Sequence, residues 1–251
     1  MTLSELDIVA ILIIGFAYLL AGLSKGAIGF GLPVITIPIV ATVLPIHVAI
    51  ALTAGPILFS NMFQAFKGAD PVGVIRRFWP LILAMLVGTT IGSQILTRVN
   101  QETVLIIVGT VLLCFVALQG FSIRPVISHR AERILNPFVG MASGLLGGTA
   151  GILGPPFLIF LIALRLPKDV FVGSIGLLYL VGIIPLYVTL AVTGMFARDE
   201  AIVSGLACIP LFLGIFAGIW LRDRVSATLF QRALLVGVFV IGVNLIRRGF
   251  E

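Results

Sequence analysis

Charged residues are scarce in this sequence. Of its 251 residues only 10% are Asp, Glu, Lys or Arg, whereas hydrophobic types make up 60%. A soluble domain carries about 25% charged residues, so this chain has too few polar groups to cover a surface in water. Its 28 glycines and 13 prolines are interleaved with Val, Ile, Leu and Phe, a mixture that membrane helices tolerate because neighbouring helices satisfy the interrupted backbone. The composition predicts an all-α polytopic membrane protein.

Groups that could carry metal or enzyme chemistry are also few. The two cysteines, Cys114 and Cys208, lie far apart in apolar runs, whereas a disulfide framework or a metal site needs more ligands at shorter spacing. Ser24 and Lys25 are the residue types of a Ser–Lys dyad, but adjacent helical residues point about 100° apart. An intramembrane enzyme is therefore the weakest hypothesis, and we expect no catalytic residue, no metal and no cofactor.

The positive charge indicates a membrane rather than a nucleic acid. Sixteen Lys and Arg against ten Asp and Glu give a net charge of +6, which in a soluble protein would suggest nucleic-acid binding. Here the basic residues lie in short gaps between apolar runs, as in cytoplasmic loops that face anionic lipid. We expect the lipid bilayer as a partner and no nucleic acid.

Apolar runs divide the chain into two similar halves. A first repeat over 1–121, a cytoplasmic linker over 122–133 and a second repeat over 134–251 are predicted, each repeat opening with a broken run. The runs are 8–23 joined to 30–44, 46–66, 78–97 and 103–121, then 134–147 joined to 155–164, 170–194, 201–221 and 228–246.

The Lys and Arg distribution bears on how the broken runs cross the membrane, because cytoplasmic loops are enriched in these residues. If each broken run crosses once, the loop residues divide nine to six between the two sides. If each run enters and returns as a hairpin, the division is eleven to four. The hairpin is favoured; it leaves three full crossings per half and so predicts inverted repeats. The exact number of crossings stays open between these two alternatives.

Glycines recur at fixed spacing in the two halves, as expected of a transporter built by duplication. Two pairs spaced by four, Gly88 with Gly92 and Gly214 with Gly218, indicate close helix packing. The matches at a spacing of 122 are Gly22, Gly26 and Gly29 with Gly144, Gly148 and Gly151.

The two glycine-rich breaks, 22–33 and 143–156, are the candidate site. Because glycine holds a helix poorly, we expect both stretches to be unwound. Proline suits the first turn of a helix, so new helices are predicted to start at Leu32-Pro33 and at Gly154-Pro155-Pro156. A helix start offers free N–H groups and a positive dipole end. Two such starts meeting near mid-membrane would form a pocket for a small anion.

Lys25 is the charged residue well inside an apolar run, and its counterpart in the second half is Gly147. A buried lysine costs a few kcal/mol unless it is paired or hydrated, and no acidic residue lies near it in sequence. A substrate anion is one candidate partner. The alternative is that Lys25 extends to the interface or bonds backbone carbonyls at the break.

Further polar residues inside apolar runs complete the candidate set. Asn61 and Gln64 are three residues apart and share a helix face, where they either line the pocket or hold helices together by hydrogen bonds. Tyr179 is a candidate contact for a substrate tail. The predicted substrate-binding residues are Ser24, Lys25, Gly26, Gly29, Gly31, Asn61, Gln64, Gly148, Thr149, Gly151, Gly154 and Tyr179.

The paired stretches from Gly22 to Ile35 and from Gly144 to Pro156 resemble the signature of the TauE/SafE family, the sulfite exporters, and the resemblance covers essentially the whole chain. It implies export of sulfite, an organosulfonate or a related sulfur compound across the bacterial cytoplasmic (inner) membrane. The family does not fix the anion. The second half lacks the lysine of the first.

Two other transport functions remain as alternatives, a small-anion channel and a carboxylate transporter. Lys25 is a point charge without the bidentate fork of arginine, which argues weakly against strict selectivity for planar carboxylates. All ten acids lie in loops or at the ends of runs, whereas ion-coupled carriers commonly keep an intramembrane acid. The coupling ion, the oligomeric state and the direction of transport are left open by the sequence.

Overall fold

The fold is seen in a computed structural model that describes residues 7–66, 70–120, 127–221, 224 and 227–251. Within these ranges all regular structure is helical, which confirms the predicted all-α class. In the first half the helices are α1 (Ile8–Ile28), α2 (Leu32–Val40), α3 (Ile46–Leu52), α4 (Ala54–Phe66), α5 (Pro71–Leu96) and α6 (Gln101–Gly120). In the second half they are α7 (His129–Ala150), α8 (Gly154–Ala163), α9 (Lys168–Gly182), α10 (Ile184–Val192), α11 (Arg198–Leu206), α12 (Cys208–Leu221) and α13 (Ala227–Phe250).

Polar residues at the ends of apolar runs start several of these helices. The Asp7 carboxylate accepts the N–H of Ala10 at 2.7 Å at the start of α1. Asp70 accepts the N–H groups of Val72 and Gly73, both at 3.0 Å, before α5. Such side chains satisfy backbone donors that have no acceptor within the helix. Two of the few acids in the chain thus serve as helix caps.

Six helical stretches of the described residues are long and apolar enough to cross a membrane, so the chain is a multi-pass membrane protein. The stretches are Ile8–Ile28, Ile46–Phe66, Pro71–Leu96, Gln101–Leu118, Lys168–Val192 and Arg198–Leu221. By contrast, α2 and α8 have nine and ten residues. They rise only about 14–15 Å, half of the roughly 30 Å apolar layer. Neither α2 nor α8 can cross the membrane alone. The inverted insertion of the two halves stays a prediction.

Three of these stretches consist of two helices joined at a bend shortly before a proline. The interruptions are at Thr53, Ile183 and Ala207, ahead of Pro56, Pro185 and Pro210. Proline cannot donate to the carbonyl four residues earlier, and its ring collides with it. The runs predicted over 46–66, 170–194 and 201–221 therefore form bent helix pairs.

The described helices cluster into two compact units. Unit 1 holds the described residues of Met1–Ile57, Val99–Ala117 and Ala191–Glu251. Unit 2 holds those of Leu58–Arg98 and Leu118–Leu190. Each unit thus combines helices from both halves of the chain. The repeat boundaries 1–121 and 134–251, with the linker 122–133 partly outside the described residues, stay predictions about duplication.

Within each unit one helix pair has the closest packing, and the two pairs are equivalent in the glycine repeat. In unit 1, α1 packs against α12, and a side chain on Gly22 would collide with backbone at Gly214. In unit 2, α7 packs against α5, and a side chain on Gly144 would collide with backbone at Gly88. The predicted role of the paired glycines in close packing is confirmed.

Candidate functional site: the two helix breaks

The first break is shorter than the glycine pattern predicts. Helix α1 continues to Ile28, and α2 begins at Leu32 with a proline in its first turn, so the predicted helix start is confirmed. Gly29 and Gly31 have φ of 90° and 113°, the left-handed region that favours glycine. The prediction that 22–33 is unwound throughout is wrong. Residues 22–28 stay helical because glycine lets the α12 backbone approach.

The second break has the same plan in unit 2. Helix α7 ends at Ala150, Gly151 has a φ of 72°, and α8 begins at Gly154, as predicted. Unwinding over all of 143–156 is again wrong. Gly144 and Gly148 stay helical because the α5 backbone packs directly against them. In both units the chain is interrupted for three residues between a long helix and a short one.

Ser24 and Thr149, two predicted binding residues, have hydroxyl groups that bond to the backbone of their own unit. The buried Ser24 hydroxyl donates to the carbonyl of Phe30 at 3.0 Å, which links α1 to the break. The Thr149 hydroxyl donates to the carbonyl of Leu145 at 2.8 Å. The Ser24 contact therefore fixes the shape of the first break.

Lys25 lies in the last turn of α1 and is half-buried. Its carbonyl accepts the N–H of Gly29 at 2.9 Å, which closes the helix at the break. The start of α2 follows a few residues later, and the first N–H groups of a helix have no acceptor within it. A cation and a helix start thus lie on either side of Gly29, a combination suited to an anion.

The equivalent position in unit 2 is apolar and closed. Gly147 stands where the first half has Lys25, and a side chain on Gly147 would collide with the side chain of Leu153. Residues 151–155 are all buried, whereas residues 25–30 are all half-buried. The two breaks therefore share a backbone plan but differ in chemistry.

Tyr179 contacts the first residue of the helix that follows the second break. Its hydroxyl is hydrogen-bonded to the backbone of Gly154, the first residue of α8. The ring packs edge-on against Phe157, with centroids 5.1 Å apart and planes at 76°. The sequence predicts that the Gly154 N–H binds the substrate, but in the structure this group already has the Tyr179 hydroxyl as its acceptor.

Asn61 and Gln64 are both buried on α4, at its contact with α9. A side chain on Gly176 of α9 would lie 2.9 Å from the Asn61 carbonyl oxygen, so the helix backbones are close there. The predicted residues fall into two sets, one per unit. Unit 1 holds Ser24, Lys25, Gly26, Gly29 and Gly31, and unit 2 holds Asn61, Gln64, Gly148, Thr149, Gly151, Gly154 and Tyr179. That the two sets bind one anion together stays a prediction.

Sequence reasoning missed several buried hydroxyl groups. Ser204 of α11 donates to the carbonyl of Leu52 at 2.9 Å and accepts the N–H of Gly55 at 2.8 Å. The Ser93 hydroxyl lies 2.9 Å from that of Thr189. Ser93 directly follows one of the packing glycines, Gly92, and this adjacency was the available signal.

Comparison with known proteins assigns a family to this architecture. A family model described as Sulfite exporter TauE/SafE matches residues 14–245. No curated protein and no solved structure matches the chain.

Proposed function

The chain belongs to the TauE/SafE sulfite exporter family, and from that premise we propose that it exports a small sulfur oxyanion bound at the first helix break. Members of this family are membrane exporters of sulfite or related sulfur compounds rather than enzymes. Within that class, we assign the substrate to sulfite or a short organosulfonate. The membrane is the bacterial cytoplasmic membrane.

The difference between the two breaks supports this proposal. In the last helical turn before the three-residue interruption, unit 1 has Lys25, whereas unit 2 has Gly147 covered by Leu153. An apolar filling suffices for the fold in unit 2, so closing a break does not require a cation. A lysine inside an apolar run is typical of a substrate or ion site in membrane proteins, and its presence at one break alone supports a binding role there.

The chemistry of the first break suits a compact oxyanion. The ammonium of Lys25 supplies the charge, and N–H groups at the start of α2 supply directional donors. Sulfite and sulfonate oxygens point in several directions, which matches donors that do not form a planar fork. Efflux also agrees with the membrane potential: an interior-negative potential expels an anion with about 2.3 kcal/mol per charge per 100 mV.

Lys25→Ala tests the proposal against Lys168→Ala, an exposed lysine at the start of α9. We expect Lys25→Ala to raise the Kd for sulfite at least tenfold, about 1.4 kcal/mol, and Lys168→Ala to leave it within twofold. Titration calorimetry on purified protein would measure both constants, and Lys25→Arg should retain part of the affinity because it keeps the charge.

Equal affinities for sulfite in the two alanine variants would show that Lys25 is not part of the site.

Liposome flux of sulfite, sulfate, taurine, sulfoacetate and acetate would separate the substrate classes. Saturable flux is expected of a carrier, whereas flux that rises linearly with concentration would identify a channel. Preference for acetate would contradict the sulfur oxyanion.

A further inference from the structure

A second cation, Arg248 of α13, lies at the C-terminal end of α2. The Arg248 guanidinium donates from Nη1 to the carbonyl oxygen of Ala41 at 2.7 Å. Ala41 is the C-cap residue directly after α2 and is fully buried, and Arg248 is half-buried in the last turn of α13. We propose that Arg248 is a positioning residue for the anion site at the start of α2. This inference rests on the function proposed above.

Two physical effects connect Arg248 to the other end of α2. The hydrogen bond fixes the C-terminal end of the helix and so fixes where its N-terminal end lies. The positive charge also neutralises the negative end of the helix dipole, which leaves a stronger positive potential at the start. Because α2 has nine residues, the two ends are only about 14 Å apart, and charges interact strongly over that distance in apolar surroundings.

In unit 2 the corresponding carbonyl accepts a hydrogen bond from an uncharged backbone donor. Ala163, which corresponds to Ala41 at the repeat spacing of 122, ends α8, and its carbonyl accepts the backbone N–H of Ile127 at 3.3 Å. A neutral donor is therefore sufficient to close this helix end. The charged donor occurs in the unit that also has Lys25, so α2 has a cation from α1 near its start and a cation from α13 at its end.

The position of Arg248 also indicates the depth of the first break. Helix α13 ends at Phe250, and an arginine in the last turn of a long apolar helix lies at the membrane surface. The C-terminal end of α2 is then near that surface. Because α2 is about 14 Å long, its start lies at most about half of the apolar thickness below that surface.

Arg247 is the matched control for a binding test of Arg248. It is the adjacent residue in the same helix turn, its side chain is 68% exposed, and it lies 3.4 Å from Glu251. We expect Arg248→Ala to raise the Kd for sulfite about fivefold, which is about 1 kcal/mol. Arg248→Gln should give a smaller loss because it keeps a donor, Arg248→Lys should restore most of the affinity, and Arg247→Ala should stay within 1.5-fold.

The kinetic measurement separates positioning from a general loss of structure. In liposomes, Arg248→Gln should raise KM for sulfite and leave the maximal rate near that of the wild type. Equal Kd values for the wild type, Arg248→Gln and Arg248→Lys would overturn the inference, and so would equal losses in Gln and Lys. If Arg248→Ala does not fold, those two variants carry the test. Absence of sulfite binding by the wild type, or an unaffected Lys25→Ala, would instead overturn the proposed function.

Discussion

Ser24 and Ser204 each bond to a backbone that glycine or proline has interrupted. Ser24 donates to the carbonyl of Phe30 beside the first break. Ser204 donates to the carbonyl of Leu52, whose helical donor is missing because the residue four positions later is Pro56. In the apolar layer of a membrane, no water is available to donate a hydrogen bond to such a carbonyl. Single hydroxyl groups therefore satisfy backbone carbonyls at two helix interruptions.

Removing the hydroxyl of Ser204 should destabilise the bend between α3 and α4. Ser204→Ala loses both the donor to Leu52 and the acceptor for the Gly55 N–H. We expect the free energy of unfolding to fall by about 1–2 kcal/mol, measured by titration of purified protein from mild detergent into SDS.

Thr110→Ala is the control for that measurement. The Thr110 hydroxyl donates to the carbonyl of Ile106 at 2.7 Å on an exposed helix face, so its loss should cost less than about 0.5 kcal/mol. If Ser204→Ala and Thr110→Ala unfold alike, the bend does not depend on the hydroxyl.

At the scale of elements, half-length helices and glycine-lined helix pairs occur together. Glycines on α1 let its backbone contact that of α12, and glycines on α7 let its backbone contact that of α5. The short helices α2 and α8 begin after three-residue breaks at the ends of the closely packed helices α1 and α7. The sequence predicted glycine mainly as a helix breaker, but Gly22 and Gly26 pack helices, and only Gly29 and Gly31 form the first break.

Gly22→Ala should disrupt the pairing of α1 with α12. An added Cβ would collide with the carbonyl of Leu211 and the backbone of Gly214, and backbone moves less readily than a side chain. We expect a loss of about 1–3 kcal/mol in the free energy of unfolding, read from thermal or SDS unfolding.

Gly15→Ala on the same helix supplies the comparison, because a Cβ there has nothing within 4 Å. It should be neutral or slightly stabilising, since alanine favours a helix more than glycine does. A melting temperature for Gly22→Ala that equals that of Gly15→Ala would contradict the packing role.

At the scale of the whole molecule, compact units and sequence halves do not coincide. The first helix of one half packs against a helix near the end of the other, and this exchange occurs in both units. Equivalent pairs, α1 with α12 and α7 with α5, agree with duplication of an ancestral half. Neither half alone contains the helices that complete a unit.

Labelling of single cysteines tests the predicted topology. In a background with Cys114 and Cys208 replaced, we expect Arg130→Cys and Lys168→Cys to be protected from an impermeant maleimide in intact cells, and Arg198→Cys to be labelled. All three positions are exposed in the structure. The hairpin arrangement places Arg130 and Lys168 on the same side, whereas a single crossing of each broken run places them on opposite sides. Opposite accessibility would reject the hairpin arrangement.

Much of the fold could be predicted because it follows from local chemistry. The helix starts at Leu32 and Gly154 follow from proline, which has no N–H to leave unpaired in a first turn. The helical membrane class follows from the scarcity of charge together with apolar runs long enough to cross a bilayer as helices. The extent of each break could not be predicted, because whether a glycine unwinds a helix or packs it depends on the backbone that lies opposite.

The sequence by itself determined the membrane class, the helix starts and the single lysine at one break, because hydropathy and proline act locally. Tertiary structure alone decided that Leu153 covers Gly147, that Tyr179 bonds to Gly154 and that Arg248 closes α2. These contacts join residues that are close in space but lie up to 207 positions apart in the chain, and no local pattern encodes them. The sequence therefore shows that the two breaks differ by one lysine, Lys25. The residues that surround each break are determined by tertiary packing.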